Sequence, residues 1–202
     1  LVSVSLSMLA GIMLGMVAGY RSNSWLDQVI MRVMDSLLAF PQLVLAIALV
    51  AAFGVDKEDT LLPKVIYAIA IVGVPAYARL TRGQVLSVRE QDFITADRAL
   101  GVRSGRLLSH RVFPNTLTPL IVQGTLGFAT AVLEIAALGF LGLGVQPPDA
   151  EWGTMISAAY RNIFNSPHLV FWPGLFIFLN VLAFNLLGDA LRDALDPRST
   201  RR

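Results

Sequence analysis

Residues 112–133 read VFPNTLTPLIVQGTLGFATAVL and carry no charged side chain over their whole length. A helix rises about 1.5 Å per residue, so roughly 20 apolar residues cross the ~30 Å hydrocarbon core of a membrane. Other stretches share this property or approach it: residues 1–20, 36–55, 162–188, and 65–78 once Leu61, Leu62 and Leu80 are added. The pattern predicts five membrane spans.

The composition agrees with a membrane protein. The chain has 202 residues, of which 55% are hydrophobic and 15% are charged, whereas a soluble domain carries roughly 25% charged residues. There are no cysteines, which excludes disulfides and thiolate metal sites. Leu1 lies inside an apolar run, so we expect the sequence to begin part-way into its domain. The length of that run and the lack of preceding basic residues argue against a signal peptide.

The basic residues predict the topology. If residues 79–111 face the cytoplasm and the spans alternate, thirteen of the 16 basic residues lie inside, as the positive-inside rule requires. Lys57, Lys64 and Arg161 then lie outside, and the C-terminus is cytoplasmic. Nucleic-acid binding would need these arginines on one soluble face, but they lie between spans, so we expect no nucleic-acid partner.

Two local patterns belong to the first third of the chain. Gly11, Gly15 and Gly19 recur at every fourth residue of the first span, which lets another helix backbone approach closely. Residues 25–35 are mixed and mildly amphipathic, which predicts a turn of helix at the membrane interface. Pro41 lies near the start of the second span, where a missing N–H is tolerated.

The segment from residue 79 to 114 is too polar for lipid and too regular for an irregular loop. Gly101 is suited to end a first short helix with a left-handed turn. Ser104 is a candidate cap for a second short helix, and Pro114 is expected to stop it. The apolar face of the first helix holds Phe93, Ala96, Ala99 and Leu100, and that of the second Leu107, Leu108 and Val112. Two interpretations stay open: a docking element for another protein, or a connector lying on the headgroups.

Polar residues inside or next to the spans are candidates for a translocation path. Glu134 lies in a predicted span, where a carboxylate costs at least ~2.5 kcal/mol and faces protein or water. The glycine-rich residues 139–144 and Pro147–Pro148 cannot continue a regular helix. Residues 146–166 form an outer loop with a short amphipathic helix, which either takes part in gating or lies at the interface. In the last span, Asn180, Asn185 and Asp189 either line a path or bond to neighbouring helices.

Several chemistries have no support in the residues. No G-x-x-x-x-G-K-[ST] loop is present, so the chain has no phosphate cradle of its own. His110 and His168 are predicted on opposite sides of the membrane, so they form neither one metal site nor a catalytic triad. An enzyme function is not indicated.

A resemblance emerges at residues 77–115, YARLTRGQVLSVREQDFITADRALGVRSGRLLSHRVFPN. This stretch resembles the loop by which binding-protein-dependent ABC permeases contact their ATPases. That loop has Glu-Ala-Ala, a Gly four residues after the last Ala, and a Pro thirteen residues after the Gly. Ala96, Gly101 and Pro114 hold three of these positions, while Thr95 replaces Glu and Asp97 replaces the second Ala.

Three further segments narrow the resemblance. They are MRVMDSLLAFPQLVLAIALVAAFG (31–54), EIAALGFLGLGVQPPDAEWGTM (134–155) and FWPGLFIFLNVLAFNLLGDALRDALDPR (171–198). They are similar to the C-type permease of dipeptide, oligopeptide, nickel and glutathione importers. The resemblance implies an all-α, polytopic bundle of the type I importer fold, with five spans of an expected six and one domain over residues 1–202.

The resemblance also implies partners and a mechanism. A B-type permease would complete the path, two ATPase subunits or one two-domain ATPase would use ATP and Mg²⁺, and an extracytoplasmic binding protein would deliver substrate. The chain itself would bind no cofactor and would lie in the bacterial inner membrane, in contact with lipid. Residues 81–114 would form the ATPase-coupling loop. Its coupling residues would be Ala96, Asp97, Arg98, Ala99, Leu100, Gly101, Leu107, Leu108 and Pro114.

The leading hypothesis is a permease that imports short peptides by alternating access. A nickel-chelate or glutathione permease of the same family is the first alternative. A channel or secondary transporter that works without ATP is an alternative of another class, although the spans lack a relay of paired acids and bases. A purely structural scaffold is the last alternative, and the glycine-rich break after Glu134 speaks against it.

Overall fold

The structure is a computed structural model that describes residues 1–54 and 61–195. The described chain is helical, without strands. The helices are α1 (Val2–Tyr20), α2 (Trp25–Leu38), α3 (Gln42–Ala52), α4 (Leu61–Arg89), α5 (Asp92–Ala99), α6 (Ser104–Leu107), α7 (Phe113–Phe140), α8 (Trp152–Tyr160) and α9 (His168–Leu195). The predicted outer loop at residues 56–59 and the basic residues 198, 201 and 202 lie outside the described residues.

The number of spans agrees with the sequence in part. Within the described ranges, four helical stretches are long and apolar enough to cross a membrane: α1, α4, residues 104–140 and α9. A fifth span exists if α2 and α3 together form one, and these two helices meet at an angle of 97°. The continuous span predicted over residues 36–55 is therefore wrong. Pro41 has no N–H to donate and disfavours helical geometry at Phe40, so α2 ends before the proline and α3 begins after it.

The second of the two predicted short helices begins and ends differently from the prediction. Arg103, not Ser104, is the N-cap of α6, and it makes no side-chain capping bond. A π-helical turn from Leu108 to Val112 joins α6 to α7 without a break. Pro114 does not stop a helix, because the chain continues as a helix from the π-helical turn into α7, and Pro114 lies in the first turn of α7.

Close packing of α1 against α4 holds the bundle together. A Cβ atom added at Gly11 would lie 2.9 Å from the backbone of Val74 and Ala78, and one at Gly19 would lie 2.8 Å from Val85. The order of these contacts shows that α1 and α4 run parallel. The three glycines thus form the packing surface that their spacing predicts.

The apolar core lies beside this contact. Ala46 and Val50 of α3 and Ala131 and Leu138 of α7 are buried there against α4. In contrast, α9 buries Pro173, Ile177 and Gly188, and most of its surface is open. At the C-terminal end of α7, Gly142 has φ +81° and terminates the helix. Its N–H bonds to the Gly139 carbonyl at 3.0 Å, and the Leu143 N–H bonds to the Leu138 carbonyl at 2.9 Å.

We predict that Gly11→Ala destabilises the protein by about 1–3 kcal/mol, because the new methyl group overpacks two backbones that cannot move apart freely. Thermal unfolding of the detergent-solubilised protein measures this loss. Gly83→Ala is the matched control, since a Cβ there meets nothing within 4 Å. That control is expected to be neutral or stabilising through helix propensity. Equal stability of the two variants would contradict a tight α1–α4 contact.

Candidate functional site

The element formed by α5, α6 and the π-helical turn lies between the long helices α4 and α7 in the chain. It is attached to the bundle through Ile94, which is completely buried. Ile94 belongs to an apolar cluster with members from α1, α4, α6 and the π-helical turn: Met16, Val85, Val88, Leu107 and Val112. One face of α5 therefore anchors this element, and the rest is free to contact something else.

Gly101 fixes the turn that follows α5. Its φ of +80° lies in the left-handed region, which an L side chain rarely adopts. The Gly101 N–H bonds to the Arg98 carbonyl at 3.0 Å, and the Val102 N–H bonds to the Asp97 carbonyl at 3.1 Å. These two bonds form a Schellman motif, which confirms the predicted left-handed end of the helix.

The predicted apolar face of α5 is open to solvent in this chain. Phe93 is 41% exposed and Leu100 is 81% exposed, and Ala96 and Ala99 are exposed between them. Next to this face lies a cleft of about 530 Å³, lined by Leu100, Gly101, Val102, Arg103 and Arg106. An apolar surface beside a basic cleft is suited to receive another protein.

Asp97 forms an ion pair within this element. Its carboxylate accepts a hydrogen bond from Arg111 Nε at 2.9 Å, and its side chain is mostly buried. The ion pair joins α5 to the π-helical turn. Leu107 is 2% exposed and Leu108 is half-buried, so these two residues lie behind the exposed face, whereas Arg98 and Pro114 are exposed.

Three arginines in the C-terminal half of α4 connect it to α2 and to the end of α1. Arg82 binds the buried carboxylate of Asp27 through two hydrogen bonds of 2.6 and 2.8 Å, and Arg79 pairs with Asp35. Arg89 Nη1 donates to the carbonyls of Gly19 and Tyr20 at 2.7 and 2.8 Å. Sequence reasoning used these arginines for topology alone. The sequence feature that could have indicated their ion pairs is the presence of two acidic residues, Asp27 and Asp35, in the amphipathic segment 25–35.

The four predicted path residues do not form one cluster within the chain. Thr125 and Phe128 of α7 contact Gly188 and Phe184 of α9. Glu134 lies six residues after Phe128, so it points about 120° away from the α9 side. Glu134 is half-buried and makes no hydrogen bond or ion pair within the described ranges.

The polar residues of α9 have separate environments. Asn185 Nδ2 donates to the Val181 carbonyl at 2.9 Å within its own helix. Asn180 Oδ1 is buried without a hydrogen-bond partner in the described part of the chain, and Asp189 is exposed. A role of these residues in a path stays a prediction.

The helix predicted in the outer loop exists as α8. Both Glu151 carboxylate oxygens cap it, accepting hydrogen bonds of 2.8 Å from the N–H groups of Gly153 and Thr154. Trp152 stacks on Phe176 of α9 with ring centroids 6.1 Å apart. The capping role of Glu151 was missed, because the residues that usually cap a helix N-terminus are Ser, Thr, Asp and Asn.

No group of three or more His, Cys, Asp and Glu side chains within residues 1–54 and 61–195 is arranged to hold a metal ion.

Comparison with known proteins identifies the family. Residues 11–201 match the family model described as "Binding-protein-dependent transport system inner membrane component". The Dipeptide transport system permease protein DppC of Alkalihalophilus pseudofirmus is 50% identical over 97% of this chain and 62% of its own length. DppC of Escherichia coli K12 is 50% identical over 84% of this chain and 55% of its own length. The Glutathione transport system permease protein GsiD of Pectobacterium atrosepticum is 42% identical over 97% of this chain and 63% of its own length.

The chain thus spans less than two thirds of the length of these curated relatives. A solved structure described as "Crystal structure of an amino acid ABC transporter with histidines" has a TM-score of 0.72 at 16% identity, covering 96% of this chain and 87% of its own. This likeness supports the type I importer permease fold. Those relatives are named as transport permeases and not as enzymes. The chain belongs to the family of binding-protein-dependent transport system inner membrane components.

Proposed function

We propose that the chain is the permease half of an ATP-driven importer of di- and oligopeptides, working by alternating access. The observation that carries this proposal is the exposed apolar face of α5. Its residues Phe93 and Leu100 have no partner surface within the described chain, although the element beneath them is fixed by a buried isoleucine and a rigid glycine turn. A rigid, uncovered apolar face next to basic residues suits transmission of movement from an ATPase.

The partners follow from the same proposal. Two ATPase subunits, or one two-domain ATPase, would bind the α5 face and would use ATP and Mg²⁺, while this chain holds neither. A B-type permease would cover part of the open surface of α9, whose exposed aromatic residues include Phe171 and Trp172. An extracytoplasmic binding protein would dock near α8. The chain would lie in the bacterial inner membrane with its C-terminus in the cytoplasm, as the positions of its arginines indicate.

The translocation path would use polar side chains that face the second permease. Glu134 borders an exposed strip of α7 that includes Thr130, Leu133 and Leu141, so its carboxylate is placed to attract the amino terminus of a peptide. Asn180, Asn185 and Asp189 of α9 would contribute at other depths. The peptide class is supported by the names of the 50% identical relatives. Glutathione is the second candidate, because permeases named for it are 42–45% identical.

We predict that Leu100→Ala weakens ATPase association about 10- to 100-fold, because a leucine that becomes buried in an interface contributes roughly 1.5–3 kcal/mol. Co-purification of the ATPase with the tagged permease, titrated with added ATPase, measures the change. Leu62→Ala is the matched control, since Leu62 is 46% exposed at the end of α4 that lies away from α5. Undiminished association in Leu100→Ala would remove the α5 face from the interface.

We predict that Gly101→Val uncouples ATP hydrolysis from uptake, whereas Gly101→Asn keeps most of the coupling. The expected effect does not come from steric overlap, because a Cβ at Gly101 meets nothing within 4 Å. The left-handed backbone costs an L residue about 1–2 kcal/mol, and asparagine tolerates it best. The measurement is solute taken up per ATP hydrolysed in proteoliposomes that contain the whole complex. Normal coupling in Gly101→Val would show that the turn is not part of the coupling element.

We predict that excess unlabelled dipeptide abolishes ATP-dependent uptake of a labelled dipeptide, while equal glutathione leaves most of it. Whole cells that express the full-length system supply the binding protein on which selection depends. Preferential competition by glutathione would instead favour the second candidate. Uptake that persists after ATP depletion would contradict an ATP-driven importer of either kind.

A further inference from the structure

The orientation of α2 follows from the contacts at both ends of α3. Leu38, at the end of α2, lines a cleft with Ala76 and Arg79 of α4. At the other end, Lys64 Nζ donates to the Gly54 carbonyl at 2.8 Å. Helix α3 therefore runs antiparallel along the apolar part of α4. Since α2 meets α3 at 97°, α2 lies close to the membrane plane, at the level where Arg79 and Arg82 leave the apolar part of α4.

The surface of α2 is divided into three strips along its length. The first strip faces the protein and holds Asp27 and Met34, which are 3% and 5% exposed. The second strip is apolar and open, with Trp25, Val29 and Val33 at 69%, 50% and 50% exposure and at helical i, i+4, i+8 spacing. The third strip, beside the second, is polar and open, with Gln28 and Arg32. A helix at a membrane interface requires these three environments: protein, acyl chains and water.

The acidic and basic residues of this region differ in whether they form ion pairs. Both of its acidic residues are used in ion pairs with α4, Asp27 with Arg82 and Asp35 with Arg79. Arg21, which caps the end of α1, and Arg32 of α2 are exposed and make no ion pair in the described part of the chain. The open surface of this region is therefore positively charged, which complements anionic lipid headgroups.

We propose that α2 is an in-plane helix that binds the membrane interface, with Trp25, Val29 and Val33 among the upper acyl chains and Arg21 and Arg32 at anionic phosphate headgroups. The occupant of the open strip is lipid, because α2 continues directly into the membrane-embedded α3 and carries a tryptophan at the border, where this residue is enriched. This proposal rests on the membrane arrangement and not on the transported solute or the use of ATP.

The depth of individual α2 residues tests this proposal. The chain has no cysteine, so Val29→Cys and Gln28→Cys can each carry one nitroxide label in the complete complex, with the other subunits freed of cysteine and reconstituted in vesicles. Collision with oxygen reports lipid, and collision with a water-soluble nickel chelate reports water. The label at position 29 is expected to favour oxygen, at a depth of roughly 5–10 Å, and the label at position 28 the chelate.

The same experiment has two outcomes that overturn the proposal. Low accessibility of position 29 to both reagents would mean that another subunit covers the strip. Preference for the chelate at both positions would mean that the strip lies in water. Neither result depends on transport, so failure of the peptide-importer proposal and failure of this one are distinguishable. Lipid contact at position 29 together with ATP-independent uptake would leave α2 as proposed and would remove the importer function.

A double arginine variant tests the proposed contact with anionic lipid headgroups. Arg21→Gln with Arg32→Gln is expected to reduce the preference of the complex for spin-labelled phosphatidylglycerol over phosphatidylcholine, by about fivefold per arginine if both reach a headgroup. Gln28→Ala on the same helix is the control and is expected to keep the preference. An unchanged preference in the double variant would overturn the assignment of these arginines to anionic lipid.

Discussion

The fold depends on the close contact between α1 and α4. In hydrocarbon, two apolar helices gain little by leaving lipid, so association relies on how closely their backbones approach. Glycines at every fourth position give α1 a flat surface, and α4 lies directly on it. This contact fixes the position of the C-terminal end of α4. The ion pairs and hydrogen bonds of Arg79, Arg82 and Arg89 are built on that end.

The ends of the helices matter as much as their packing, because each break sets the direction of the next element. Gly101 and Gly142 both adopt a left-handed backbone at the same position after a helix, and both make the same pair of hydrogen bonds. The Gly101 turn follows α5, and the Gly142 turn follows α7 at the start of the loop that leads to α8. Pro41 produces a third break by a different cause, the absence of its N–H.

The sequence predicts those features that arise from local patterns. Spans, the glycine surface of α1, the Gly101 turn and the existence of α8 all depend on spacing within one segment. The break before Pro41 was missed because an uncharged run was interpreted as one helix. Long-range pairs were beyond reach: Asp27 and Arg82 are 55 residues apart, and no periodicity connects them. The open face of α5 was predicted by its apolar spacing, but the burial of Ile94 that positions it depends on α1, α4 and the π-helical turn.

The element formed by α5, α6 and the π-helical turn is connected to α4 and to α7, the two long helices that border the core. It follows α4 after a two-residue turn, and through α6 and the π-helical turn it continues into α7 without a break. In addition, the ion pair between Asp97 and Arg111 joins α5 to the π-helical turn. Because α5 is tied to α4 through the buried Ile94 and to the π-helical turn through Asp97 and Arg111, we expect a displacement of α5 to move α4 and α7 together. If an ATPase binds α5, the free energy of ATP binding changes the arrangement of the spans only by the difference in affinity for two such arrangements.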